Sequence, residues 1–467
     1  METYGVVVIG AGPGGYPAAI RAAQLGASVA LVEREEFGGT CLNWGCIPTK
    51  TLIASSDLYA QIKSATKMGL SVTGASYDYA AMVARKDQVV GTLRSGVKQL
   101  LAANGVKVLH GTASFLSRNR LMVTPAGGDV PTTFIGAEKT IIATGATSAM
   151  PGFLPRHPRV VESRAFLDLK SVPAAVIVMG GGFIGCEFAC LLAQLDVKVT
   201  VVELLEDILW GLDADVRREL RRHMEKNLGI RILTGKALEN IVADDQGVRG
   251  TVGEEKVEAD MLLAALGRRP VTEGLKRENA GLATNSNGFI EVDEYGRTAV
   301  ATIYAIGDVT GGVQLAHAAT SQGLVAAANA CGRHLRKNET IIPACIFTSP
   351  EIGTVGLSEL DAQKEGRAIK TGKFMFTSLG KALAAGHPQG FVKWIADAET
   401  DQLLGAAAVG PHTTELIAEA AVVIRAELTG AELSRTIHAH PTLAEIWMEA
   451  AHALEGEPIH SAPRKKK

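Results

Sequence analysis

Aromatic residues supply only 5% of this 467-residue chain, and no apolar run approaches the ~20 residues that a membrane-crossing helix needs. Net charge is missing as well. The 47 basic and 49 acidic side chains leave a formal charge of −2, which gives no whole-molecule attraction to nucleic acid or to an anionic membrane. The first residues run straight into a strand pattern, without the charged, apolar and cleavage regions of a signal peptide, so a cytoplasmic location is expected. Six cysteines are too few for a disulfide scaffold, and their spacings do not match paired zinc knuckles, so no metal site is expected. In a reducing compartment, a disulfide that matters is then a catalytic one.

Glycine, by contrast, is abundant. Its 51 copies exceed the usual share and suggest many close approaches of backbone to ligand. The length is too great for one core and predicts two to four domains. Tyr4 to Ile9 reads as a strand, turned by Gly10-Ala11-Gly12-Pro13-Gly14-Gly15 into an alanine-rich helix reaching Leu25. A second strand, Ser28 to Val32, ends on Glu33. Such a unit binds a dinucleotide: the first glycine makes the tight turn, the second lets backbone N–H groups approach a pyrophosphate, and the third allows close helix packing, while the acid accepts from ribose hydroxyls. The pattern recurs in Ala175 to Met179, Gly180-Gly181-Gly182-Phe183-Ile184-Gly185, a helix, and Lys198 to Val202 ending on Glu203. One fingerprint alone is a weak signal; two complete units predict two bound dinucleotides.

Soon after the first unit comes Gly38-Gly39-Thr40-Cys41-Leu42-Asn43-Trp44-Gly45-Cys46-Ile47-Pro48-Thr49-Lys50. A lone CxxxxC would read as two small packed side chains. Beside a dinucleotide site it reads as a redox pair that exchanges electrons with a flavin. Cys186, Cys190, Cys331 and Cys345 lie in apolar surroundings and read as packing. Leu52 to Met68 and Tyr79 to Asn104 are expected helices, Pro151 to Pro158 a linking loop, and Ile303 to Asp308 a strand placed to return to the first sheet. Beyond Pro343 alternating strands, Gly390 to Asp397 and Leu403 to Val409, precede helices from Glu415 and Leu443. This is an α+β module with no glycine fingerprint.

Taken together, these residues resemble the pyridine nucleotide-disulfide oxidoreductases, a family of FAD enzymes, over essentially the whole chain. The most specific parts are the cysteine run and His438-Ala439-His440-Pro441-Thr442-Leu443-Ala444-Glu445. The resemblance implies an α/β fold with two Rossmann-like dinucleotide-binding domains, for FAD and NAD, plus a C-terminal α+β dimerisation domain. Residues 1–149 and 273–342 would form the FAD domain, 150–272 an inserted NAD domain and 343–467 the dimerisation domain. Gly10, Gly12, Gly14, Gly15 and Glu33 would hold the adenosine half of FAD, with Gly39, Thr40, Lys50, Thr144, Gly145, Gly307, Asp308, Ala316 and His317 completing the flavin site. Gly180, Gly182, Ile184, Gly185, Glu203 and Gly267 would hold NAD. Lys50 and Glu187 match positions expected to form an ion pair beside the flavin ring, and Phe183 matches an aromatic gate over the nicotinamide pocket.

The chain looks most like those members that oxidise dihydrolipoyl groups. By that likeness His440, oriented by Glu445, takes a proton from a dihydrolipoyl thiol, because only the thiolate attacks a disulfide well. Cys41 is then the interchange thiol, Cys46 faces the flavin, and NAD⁺ receives the hydride. The implied partners are a second copy of the chain, with the cysteines of one subunit and the histidine of the other sharing each site, and a lipoyl carrier. That carrier is the acyltransferase of a 2-oxo acid dehydrogenase complex or the carrier of glycine cleavage. Two other readings stay open: a family member that reduces another disulfide or a quinone, and a non-catalytic flavin-binding subunit.

Where NADP-using relatives place arginines, this chain has Glu203-Leu204-Leu205-Glu206-Asp207, which accepts from a free 2′-hydroxyl and repels a phosphate. Arg217, Arg218, Arg221 and Arg222 come too late for that role and read as a solvated helix face. Trp44 departs from the smaller apolar residue more usual in the family, and His438 reads as structural. The tail Arg464-Lys465-Lys466-Lys467 reads as a solvated end, with a docking patch for an acidic partner as the alternative.

Overall fold

The computed structural model describes residues 1–125 and 131–462, so the basic tail lies outside the described residues. The strand Glu2–Ile9 is apolar on both faces at its C-terminal end, as a central parallel strand must be. It pairs in parallel with Val29–Glu33 on one side, Val8 opposite Leu31, and with Thr133–Ile142 on the other, Ile9 opposite Ile142. Lys107–His110 extends one edge, and Arg120–Thr124 and Thr112–Ser117 the other. Ile303–Ala305 returns from far along the chain to pair with Thr140 to Ile142, as its pattern anticipates.

A second parallel sheet runs Arg231–Thr234, Lys198–Glu203, Ala175–Met179, Met261–Ala264, Val160–Glu162, and a three-stranded antiparallel sheet, Leu238–Asp244 to Glu255–Ala259, accompanies it. A two-strand ribbon, Ala146–Ser148 against Arg268–Pro270, carries the chain into and out of this unit. The C-terminal module is a five-stranded antiparallel sheet under the helices Thr413–Arg425 and Glu445–Leu454. Trp394 and Trp447 meet in its core with ring centroids 4.7 Å apart, and the Trp394 indole donates to the Trp447 carbonyl at 3.0 Å. Removing either ring would cost about 3–5 kcal/mol.

This module is tied to the second unit by buried charge. Lys393 Nζ lies 2.8 Å from Asp213, 2.9 Å from Asp215 and 2.5 Å from Glu359, and so fills the acidic cluster that the three carboxylates form. No helix among the described residues is long and apolar enough to cross a membrane.

One helix begins earlier than its pattern predicts. The stretch expected from Leu52 starts at Cys46 and runs to Ser64, with a 3₁₀ turn from Ala65 to Met68. Pro48 sits in its first turn, where a missing N–H removes no helical bond.

Candidate active site

Both glycine fingerprints take the same backbone path. Gly10 and Gly180 leave their strands at φ of +103° and +111°, and a Cβ there would lie 2.3 Å from the Ala143 carbonyl oxygen and 2.4 Å from that of Ala265. Gly15 and Gly185 press so closely on the preceding turn that a Cβ would come within 1.9 Å of the carbonyls of Gly10 and Gly180. The buried Glu33 accepts from Ala11 N–H and Glu35 N–H, each at 2.7 Å; Glu203 accepts from Gly181 N–H at 2.6 Å and Leu205 N–H at 2.8 Å. The helices Gly15–Gln24 and Phe183–Gln194 start with no side-chain cap and no acid in the first turn; Gly15 and Tyr16 N–H turn back onto the Gly12 carbonyl, at 2.9 and 3.1 Å, while the first amides of Phe183–Gln194 remain available to a pyrophosphate. Backbone room and a fixed carboxylate fit a dinucleotide at each unit.

Cys41 lies in the short helix Gly39–Trp44 and Cys46 opens the helix Cys46–Ser64. Gly45 breaks the two apart, and a side chain there would crowd the Thr40 carbonyl and Cys41 Cα. Both cysteines are half-buried. They are not equivalent. The hydrogen bond to Cys46, with burial, pushes the Cys41 thiol up, while the same bond and the nearby Lys50 cation bring Cys46 down to about 7. Cys46 is therefore the sulfur poised to carry charge.

Lys50 donates to both oxygens of Glu187, at 2.9 and 2.7 Å, across 137 residues of sequence. Glu187 is buried and also accepts from Phe347 N–H at 2.9 Å, and the Phe347 ring lies 4.6 Å from the lysine nitrogen. The ammonium is thus held in place beside the redox segment.

At the other end of the chain, His440 Nδ1 lies 2.8 Å from Glu445 Oε1, and Thr442 N–H donates to Oε2 at 2.8 Å. Although burial opposes it, these donors hold the Glu445 carboxyl below its usual range. The bond at Nδ1 leaves Nε2 to accept a proton. The His440 side chain is 78% exposed and has no hydrogen bond to either thiol among the described residues, so the single chain does not bring base and sulfurs together.

The matched families cover most of this architecture. Residues 4–323 match the pyridine nucleotide-disulphide oxidoreductase family, and residues 342–451 match its dimerisation domain. The chain belongs to the pyridine nucleotide-disulphide oxidoreductases. It is 42% identical to the dihydrolipoyl dehydrogenase of Chlamydia muridarum over the full length of both chains, and 43% identical to that of Haloferax volcanii over 98% of each. The Bacillus subtilis dihydrolipoyl dehydrogenase shares 39% over 98% of this chain and 99% of its own. Among solved structures, LpdA from Mycobacterium tuberculosis superposes with a TM-score of 0.90 at 28% identity, over 97% of this chain and 99% of its own. The HOCl-induced flavoprotein disulfide reductase RclA from Escherichia coli, in its Cu(II) complex, gives 0.87 at 30% identity over the same shares.

As a member of this family, the chain has several further polar groups around its flavin unit. Thr144 hydroxyl donates to the Val271 carbonyl at 2.7 Å, and Gly145, Gly267 and Gly307 all take positive φ. Asp308 pairs with Arg268 at 3.2 Å, a residue that pattern reading left without a role. Gly307 N–H is taken by the buried Gln322 at 2.7 Å. Ala316 begins the helix Ala316–Ala330, and His317 Nε2 lies 2.7 Å from the Pro343 carbonyl. Phe183 and Ile184 open the helix of the second unit, with Phe183 exposed.

The arginine face needs correction. Arg218 and Arg222 are exposed, but Arg217 is only 13% exposed and binds Asp207 at 3.0 Å, with Arg221 at 2.9 Å on the other carboxylate oxygen. A helix that buries Val216 and Leu220 turns the neighbouring arginine stems inward as well. Periodicity gave no sign of this, because Asp207 lies in a loop outside the helix. Trp44 is likewise engaged: the Arg164 guanidinium stacks 3.7 Å from its ring centre and pairs with Glu35 at 2.9 Å.

Proposed function

We propose that this protein oxidises dihydrolipoyl groups to lipoyl groups and passes the electrons to NAD⁺, the activity for which its curated relatives are named. The observation that carries the chemistry is the thiol pair Cys41 and Cys46, with Cys46 set one turn before an ammonium, Lys50, that the buried Glu187 fixes at 2.7 Å. In the oxidised enzyme, a substrate thiolate attacks Cys41 Sγ, breaking the Cys41–Cys46 bond and leaving Cys46 as the thiolate, which Lys50 stabilises. His440 Nε2 takes the substrate proton while Glu445 fixes its tautomer. The second substrate sulfur then displaces Cys41, closing the lipoyl ring and leaving two reduced cysteines. Bound FAD supplies the two-electron relay from these sulfurs to NAD⁺, so the net change is dihydrolipoyl plus NAD⁺ to lipoyl, NADH and a proton.

Residues 1–149 and 273–342 are assigned to FAD, 150–272 to NAD and 343–467 to the interface. The glycines and acids named above, with Thr40, Ala316 and His317, are assigned as cofactor contacts. The exposed His440 favours a homodimer in which each site takes Cys41 and Cys46 from one subunit and His440 and Glu445 from the other. The substrate is the lipoyl carrier of a 2-oxo acid dehydrogenase complex or of glycine cleavage, and the setting is the cytoplasm.

A steady-state assay with dihydrolipoamide and NAD⁺ tests the reaction. Turnover is expected in the wild type and none in Cys41→Ser, which should still carry FAD; equal turnover in both would overturn the assignment. Co-expressed Cys41→Ser and His440→Gln chains test the shared site. Mixed dimers would contain one intact site and recover roughly a quarter of wild-type activity when half of the dimers are mixed.

A further inference from the structure

His438 reads as structural in the sequence, yet its surroundings suit a charged group. The side chain is 7% exposed, with Nδ1 2.9 Å from the Thr436 carbonyl and Nε2 2.7 Å from Glu419 Oε1. A carbonyl and a carboxylate only accept, so both ring nitrogens must donate, and only the imidazolium carries two N–H groups. In either neutral tautomer a buried nitrogen lone pair would face an oxygen lone pair, at the cost of an unmade hydrogen bond. The Glu419 bond, against the opposing effect of burial, raises the His438 pKa above its usual value.

This cation stands two positions before His440. The charged groups that face it are Glu419 from the helix Thr413–Arg425 and Glu445 from the helix Glu445–Leu454, and the Thr436 carbonyl faces it from its own segment. The two histidines thus fasten one short segment to two different helices, His438 through Glu419 and His440 through Glu445.

We propose that His438 is a positioning residue for His440: a buried imidazolium that anchors the base-bearing segment to the helix Thr413–Arg425, keeps Glu445 ionised and opposes a second positive charge on His440. The inference rests on His440 being the base of the reaction proposed above. A proton acceptor must be empty before it can act, and a fixed neighbouring cation favours the empty form near neutral pH.

The test compares pH profiles of kcat/KM for dihydrolipoamide in wild type, His438→Gln and His438→Lys, with FAD content as the check of folding. The neutral glutamine should lower kcat with little change in KM and move the acid limb upward by about half to one pH unit, an effect the size of one charge at partly screened distance. Lysine, which restores the cation, should return the limb to its wild-type position. A glutamine variant slowed equally at every pH, or a lysine variant displaced like glutamine, would overturn the charge role and leave a plain anchor. Nitrogen-15 spectra of histidine-labelled wild-type enzyme give a readout independent of lipoyl turnover and of whether the variants fold. Two protonated nitrogens on His438 at neutral pH are expected, and a neutral ring would overturn the proposal. Absence of dihydrolipoamide turnover in the wild type would instead overturn the reaction, with the spectra still deciding the charge of His438.

Discussion

Gly10 and Gly180, Gly15 and Gly185, Glu33 and Glu203 occupy matching places, and even the next bond is repeated: Gly38 N–H donates to the Ala11 carbonyl at 2.8 Å, and Leu209 N–H to that of Gly181 at 2.9 Å. Past this bond the two units diverge. The first continues into the redox helix Gly39–Trp44, and Gly39 lies so close over the fingerprint that a Cβ would fall 2.6 Å from Gly12 Cα. In the second, nothing lies within 4 Å of a Cβ at Gly182, and Leu204 and Leu205 stand 66% and 49% exposed beside the acid. One fingerprint is roofed by the cysteine-bearing segment; the other opens to solvent. That suits a cofactor that stays and one that must come and go each turnover.

The largest expected effect breaks the two units apart. Gly15→Ala and Gly185→Ala each drive a methyl group into a carbonyl, costing about 3 kcal/mol or more. Gly15→Ala should abolish flavin binding and all activity, whereas purified Gly185→Ala should keep its yellow flavin and lose only NAD⁺-dependent turnover. Loss of flavin from both would mean the units are not independent. Next in size is His440→Gln, which should lower dihydrolipoamide turnover by at least the ~10²–10⁴ usual for one general acid–base while leaving oxidation of NADH by an artificial acceptor intact.

Glu203→Ala sharpens the comparison at the open unit. Loss of the ribose bond should weaken NAD by roughly 1–3 kcal/mol and narrow the preference over NADP, read as the ratio of kcat/KM values. The matching Glu33→Ala should leave that ratio unchanged. Smaller still is the roof itself: Gly39→Ala should speed dissociation of FAD, measured by recovery of flavin fluorescence, without altering the KM for NAD⁺. The pH dependence of the reduced enzyme is the mildest test. Because Cys46 is brought down, its thiolate persists below the ordinary thiol range, so the long-wavelength absorbance of the half-reduced protein should hold above about pH 7 and fade on acidification through that value. In Lys50→Met the fade should begin at higher pH, since the cation that favours the thiolate is gone.

Much of the site was legible because its constraints are local. A glycine that turns sharply and an acid about 20 residues later are fixed by the backbone of one strand-helix-strand unit, and the cysteines lie within one short run. Glu187 and Glu445 were reachable only through family likeness; no periodicity joins Lys50 to a carboxylate 137 residues away. The helix start at Cys46 lies six residues before the expected Leu52, and Pro48 is accommodated because in a first turn it costs no hydrogen bond.

The sequence alone determined that there are two dinucleotide units and that a thiol pair follows the first, because each is written in neighbouring residues. Tertiary structure decided which charges meet: Arg217 and Arg221 on Asp207, Arg268 on Asp308, Lys393 among three acids, His438 on Glu419. It also decided which fingerprint is covered. Burying a charge is costly until a partner is supplied, and a partner from another element is supplied only when the domains pack, so no local pattern records the pairing.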